Sequence, residues 1–165
     1  MKKHVEIYTD GACSGNPGVG GYAAVLLYRA HKKEISGAEL NTTNNRMELR
    51  GIIEGLKMLN EPCKVTVYSD SAYSVQPFLQ GWIDGWQNNG WRTSSKDPVK
   101  NVDLWQALLL EMKKHEVNFV KVKGHSDNEM NNRCDLLARN AIVNLQKEMP
   151  ITNCDLTSTI PPKLD

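Results

Sequence analysis

The chain has 165 residues, and its 20 Lys plus Arg against 19 Asp plus Glu leave a formal net charge of +1. That length fits one domain, and the near-neutral balance excludes nucleic-acid binding through bulk charge, though not through a local basic patch. The longest uncharged apolar run, Tyr22 to Tyr28, is seven residues, where a membrane span needs about 20.

His4 to Asp10 alternates, with Val5, Ile7 and Thr9 on one face, and reads as a strand ending at Asp10. Gly11 to Gly21 holds five of the twelve glycines plus Pro17, which predicts a turn-rich loop. Tyr22 to Arg29 and Glu34 to Leu40 follow as strands, and their short connections favour an antiparallel meander. Asn44 to Leu59 is helical: Met47, Leu49, Ile52, Ile53, Leu56 and Leu59 make one apolar face. Thr43, Asn44 or Asn45 can cap it, and Asn45 with Glu48 has capping-box spacing.

Lys64 to Asp70 is the next strand, with Val65, Val67 and Ser69 sharing a face, and a helix shaped by Pro77 and Gly81 follows near Ser71. Residues 82–100 are rich in Trp, Asn, Gly and polar side chains. Val102 to His115 is helical, Val117 to Lys123 is a last strand with Val120 and Val122 buried, and Asn131 to Gln146 is the last helix. Lys147 to Asp165 has no periodic pattern and reads as a disordered or loosely draped tail. The order predicts an α/β fold in which a meander precedes crossover units.

Met1-Lys2-Lys3 leads into no long apolar run, so no signal peptide is expected. Cys13, Cys63, Cys134 and Cys154 form no C-x-x-C pair, and their irregular spacing suggests neither zinc nor disulfides. A cytoplasmic setting is the expectation.

Two strand ends are alike: Ile7-Tyr8-Thr9-Asp10-Gly11 and Val67-Tyr68-Ser69-Asp70-Ser71. Taken singly, each Asp also fits as a turn starter or helix cap, Glu48 as a capping-box acid, and Asp135 as an acid favoured near a helix N-terminus. Taken together, Asp10, Glu48, Asp70 and Asp135 describe an oxygen-rich site for Mg²⁺ or Mn²⁺, of the kind that drives phosphoryl displacement. His125, in Lys123-Gly124-His125-Ser126-Asp127, suits a proton-shuttling role or a plain surface loop. Trp82 and Trp86 share a helical face with Trp91 nearby. They form either a small satellite core or an aromatic arm on nucleic acid.

Over about residues 4–146 the chain resembles bacterial type 1 ribonuclease H. The matching blocks are Y-T-D-G-A-C-S-G-N-P-G at 8–18, T-T-N-N-R-M-E-L at 42–49, S-D-S-A-Y at 69–73, K-G-H-S at 123–126 and N-R-C-D at 132–135. The resemblance implies a mixed five-stranded sheet, a meander of three antiparallel strands plus two parallel ones, flanked by helices. It implies a catalytic domain over residues 1–146 with a Trp-rich handle at about 77–101, followed by a tail. The implied activity is endonucleolytic hydrolysis of the RNA strand of RNA–DNA hybrids with two Mg²⁺ ions, or Mn²⁺ as substitute, leaving 5′-phosphate and 3′-hydroxyl ends. Asp10, Glu48, Asp70 and Asp135 match the metal-binding carboxylates, and His125 matches the loop histidine. Cys13, Asn16, Asn44 and Asn45 match hybrid contacts, Thr43 a phosphate contact, and Trp82, Trp86 and Trp91 the handle. The expected partner is a hybrid duplex, bound by a monomer with no membrane involved. Three features depart from the family pattern: Ala72 stands where several members have Gln, the handle carries only Arg92, Lys96 and Lys100 against Asp84 and Asp97, and the tail matches nothing. Another nuclease of the same superfamily, a non-catalytic hybrid-binding module and a purely structural protein are the competing readings.

Overall fold

The computed structural model describes residues 2–123 and 128–148. In chain order its elements are β1 (Lys3–Gly15), β2 (Gly18–Tyr28), β3 (His31–Thr42), α1 (Asn44–Lys57), β4 (Cys63–Ser69), α2 (Ala72–Leu79), α3 (Trp82–Asn88), α4 (Val102–Met112), β5 (Glu116–Lys121) and α5 (Glu129–Glu148). The strands lie in the order β3-β2-β1-β4-β5. β1, β2 and β3 are antiparallel neighbours, while β4 joins β1 and β5 joins β4 in parallel. Tight hairpins make the first three strands a local meander, and the parallel pairs form only after helical crossovers.

Strand alternation divides the core between the two faces of the sheet. Val5, Ile7, Ala24 and Leu26 point to the side covered by α1 and α4. Ala23 and Val25, with Tyr8 and Leu27, point to the side covered by Cys134 and Ala138 of α5. Trp105 of α4 is wholly buried and forms a hub on the first face, with its ring 5.5 Å from Tyr73, 5.9 Å from Phe78 and 5.5 Å from Trp86.

Several expectations change. The glycine-rich stretch is not a loop: β1 runs on through Gly15 and β2 begins at Gly18, with only Asn16 and Pro17 between them. Asp10 therefore lies inside a strand rather than at its end. The glycines serve close approach as well as turning. A side chain at Gly11 would overlap the backbone of Met47 and Glu48 in α1, and one at Gly21 would overlap the Ala138 carbonyl in α5.

The cap of α1 is Thr43, whose hydroxyl accepts from the Arg46 N–H at 3.3 Å, so Glu48 belongs to no capping box. In β5 the buried residue is Phe119, stacked 4.3 Å from Phe78 of α2, whereas Val120 is 40% exposed and Val122 half-buried. β5 is an edge strand covered by α2 on one side, so the residues alternating with Phe119 face outward. α4 ends at Met112, earlier than expected, and α5 runs on to Glu148. The remaining tail lies outside the described residues.

Candidate active site

The likeness between the two strand ends becomes a structural register. Ile7 pairs with Val67 and Tyr8 with Tyr68 across the parallel β1–β4 ladder. The two tyrosine rings stack at 4.4 Å, 9° from coplanar. Beyond Tyr8 and Tyr68 the ladder stops: β1 continues along β2 while β4 ends at Ser69. Asp10 and Asp70 stand two residues past this last pair, in the crevice where the neighbouring strands part, as ligand sites in open α/β sheets do.

Glu48 enters the same crevice from α1. The missing side chain at Gly11 lets the second turn of α1 rest on β1. Carboxylate oxygens of Asp10, Glu48 and Asp70 then lie within 4.8 Å of one another. Asp10 and Glu48 are each 6% exposed, and Glu48 Oε1 is buried with no hydrogen-bond partner. Burial, then repulsion from Asp70 and Asp135, pushes the Asp10 carboxyl up to about 7. Burial, then Asp10 and Asp70, drives Glu48 well above the usual carboxylate range, while the Gly11 N–H and the Asn44 side chain pull the other way. Three carboxylates forced together at this depth describe a site whose charge balance calls for a cation. An all-oxygen donor set suits a hard divalent ion, and the orphaned Oε1 gives such an ion a free ligand.

Asp135 reaches the site from the opposite face of the sheet, in the second turn of α5. Its approach depends on Cys134, whose buried thiol donates to the Tyr8 carbonyl at 3.2 Å and fastens α5 to the central strand. Asp135 is within hydrogen-bonding reach of Asp10, but it is not part of the close carboxylate group. Its Oδ2 instead accepts from Arg139 Nε at 3.0 Å. The sequence reading passed over Arg139, although its i,i+4 spacing from Asp135 was a usable signal.

The other expected residues fall into two groups. Asn16, at the β1–β2 turn, accepts the Asn44 backbone N–H at 3.1 Å, which ties the hairpin to the start of α1. Asn16, Asn44 and Asn45 are exposed beside it. Thr43 is the cap, and the half-buried Cys13 donates its thiol to the Thr42 carbonyl at 3.4 Å. Asn44 joins this group to the acids through its side-chain hydrogen bond to Glu48. The tryptophans divide differently. Trp86 and Trp91 pack against the main core rather than forming a satellite of their own, and Trp82 is 50% exposed. The Arg46 guanidinium, which the sequence reading also missed, bonds Asp103 at 3.0 and 2.7 Å and Asn101 at 3.2 Å. That clamp joins α1 to the far end of the Trp-rich segment. His125 lies outside the described residues.

Comparison with known proteins agrees with this geometry. Residues 2–143 match the family model described as RNase H. A ribonuclease H of Caldanaerobacter subterraneus subsp. tengcongensis is 63% identical over 146 residues, covering 88% of this chain and 95% of its own. Among solved structures, LC9-RNase H1, described as a type 1 RNase H with the type 2 active-site motif, superposes with a TM-score of 0.77 at 27% identity over 87% of this chain and 74% of that one. LC11-RNase H1, solved in complex with an RNA/DNA hybrid, superposes with a TM-score of 0.66 at 25% identity over 86% of this chain and 99% of its own.

Proposed function

This chain belongs to the RNase H family, whose members are metal-dependent hydrolases of RNA–DNA hybrids, and we propose that Asp10, Glu48, Asp70 and Asp135 together hold two divalent cations over the RNA strand. Mg²⁺ is the proposed ion, with Mn²⁺ as substitute. The carrying observation is the meeting of three carboxylates from β1, α1 and the end of β4, two of them buried, with no salt bridge to a described Lys or Arg. Held by these carboxylates, divalent cations would supply a nucleophilic water at neutral pH and charge stabilisation for the phosphoryl displacement.

The protein's own side chains align the acids and seat the substrate. Asp10 and Asp70 are held in line by the shared strand register, and Glu48 by the seat of α1 on Gly11. The Cys134 thiol, next to Asp135 in sequence, is pushed up to about 12 by burial and by Asp10 and is committed to the Tyr8 carbonyl, so it is no nucleophile here. In the proposed reaction water forms the new bond to phosphorus while the P–O3′ bond breaks, and O3′ takes up a proton, which leaves the 5′-phosphate and 3′-hydroxyl ends that the family resemblance implies. His125, on the sequence match alone, is assigned to protonation at the leaving oxygen. Asn16, Asn44 and Asn45, with Cys13 and Thr43, form the rim that seats the duplex, and their amides suit the 2′-hydroxyl of ribose as both donor and acceptor. We assign this activity to a catalytic unit spanning residues 1–146.

The test is cleavage of end-labelled RNA–DNA hybrid, duplex DNA and single-stranded RNA with Mg²⁺ and with excess chelator. Internal cuts in the RNA of the hybrid alone, lost on chelation, are expected. Equal cutting of duplex DNA, or cutting that survives chelation, would overturn the assignment.

A further inference from the structure

Arg139 stands out among the side chains around the acids. Asp10, Glu48 and Asp70 approach one another without a salt bridge to any described Lys or Arg, whereas Asp135 has one: Arg139 Nε and Nη2 each lie 3.0 Å from its Oδ2. The pair sits at the mouth of the site, with the Asp135 side chain 46% and the Arg139 side chain 60% exposed. An exposed i,i+4 ion pair contributes little to a helix, so helix stability alone gives this one a minor role. Its position gives it a larger one. Both guanidinium contacts fall on Oδ2, so a cation that takes this oxygen must displace the guanidinium, and one that takes Oδ1 binds a carboxylate whose charge is already shared.

We propose that Arg139 is a positioning residue that competes with the second cation for Asp135, and so sets the ion concentration at which the four-carboxylate centre completes itself. This rests on the two-ion reading above. Arg139 holds Asp135 Oδ2 at the edge of the close trio and offsets part of the negative charge gathered at the crevice. Once the carboxylate turns to a cation, the guanidinium is released at the rim.

The experiment measures Mn²⁺ binding to the whole chain without nucleic acid, from the free-ion signal in electron paramagnetic resonance. The proteins are the unaltered chain, Arg139→Ala, Arg139→Lys, Asp135→Asn and the double variant Asp135→Asn/Arg139→Ala. Removing Arg139 should tighten the weaker Mn²⁺ site on the order of two- to fivefold, the size of one released surface ion pair. Lys at 139 should fall between, since it keeps the charge and loses the forked geometry. With Asp135 already neutral, removing Arg139 should change nothing further. Unchanged or weaker Mn²⁺ binding in Arg139→Ala overturns the inference. So does an equal gain in the Asp135→Asn background, which would show a general charge effect without competition for the carboxylate. Failure of the unaltered chain to bind Mn²⁺ at all would instead defeat the two-ion reading itself.

Discussion

Asp10 concentrates the tension between stability and chemistry in one side chain. Its carboxyl titrates near 7 in the fold, against an ordinary value of 3.8. The native protein therefore holds a proton that the unfolded chain gives up between those values. Stability from this group is full below about pH 4 and is lost as pH rises through 7. Asp10→Asn removes that loss. In chelator at pH 8 the variant should melt a few degrees higher than the parent, and its hybrid cleavage should fall on the order of a hundredfold or more. A variant that melts no higher in chelator, followed by circular dichroism, would contradict the account of crowded like charges. Divalent ion should narrow the difference, because it binds the parent's folded site and stabilises it by mass action.

Asn44 illustrates how one residue answers to two roles. Its backbone N–H is held by Asn16 and its side chain contacts Glu48. Asn45 makes neither bond among the described residues, is exposed, and is the cleaner probe of substrate contact. Asn45→Ala should raise KM for hybrid while leaving the melting temperature within a degree or so, since a single exposed polar side chain contributes little to the fold. A shift in melting temperature without a change in KM would return Asn45 to a structural part.

At the scale of elements, the contact between α1 and β1 decides where Glu48 stands. Gly11→Ala places a methyl group against the backbone of Met47 and Glu48, which no rotamer change relieves. Overpacking of this kind typically costs about 1–3 kcal/mol. Urea denaturation should show that loss, and cleavage should fall further than unfolding explains because Glu48 is carried away from Asp10. Full activity in a folded Gly11→Ala protein would mean that the close seat of α1 is not what aligns the carboxylates.

This contact also marks where reading from sequence reached its limit. The strand pattern of Val5, Ile7 and Thr9 and the apolar face of α1 were legible because periodicity records burial directly. The twin Tyr-Thr-Asp and Tyr-Ser-Asp endings hinted at Asp10 and Asp70 before their register was known. Gly11 reads as part of a loop, although it lies within β1, because glycine signals a turn and a close approach with the same letter. Val120 was misplaced because nothing local distinguishes an edge strand from a central one. The Arg46–Asp103 clamp joins residues 57 apart in the chain, a separation at which spacing rules carry no information. Family resemblance supplied the roles of the acids, and the fold shows how three of them come together.

Across the whole molecule, the Trp-rich segment is anchored at its base and open at its tip. Trp86 lies edge-on to Trp105, 5.5 Å away, and belongs to the core. Trp82 is half in water beside a cavity of about 410 Å³ that it shares with Trp86, Arg92 and Thr93 among others. The two tryptophans should separate cleanly. Trp86→Ala should destabilise by about 2–4 kcal/mol, toward the lower part of the range for a large aromatic because it is only partly buried. Trp82→Ala should leave unfolding nearly unchanged and weaken hybrid binding, with base or sugar stacking as the lost contact. If Trp82→Ala binds hybrid as the parent does, the handle reads as a structural annex.

The order in which the chain supplies its carboxylates has a consequence for biosynthesis. Asp10, Glu48 and Asp70 all belong to the first half of the chain, but Asp135 arrives on the last helix, and α5 also covers Tyr8, Ala23 and Val25. A chain still emerging from the ribosome can pair its first four strands and gather three acids, yet one side of its sheet stays open to water until α5 docks. Arrival of Asp135 beside the trio and closure of the second core are thus the same event, and the proposed four-carboxylate centre comes of age only once α5 has been made.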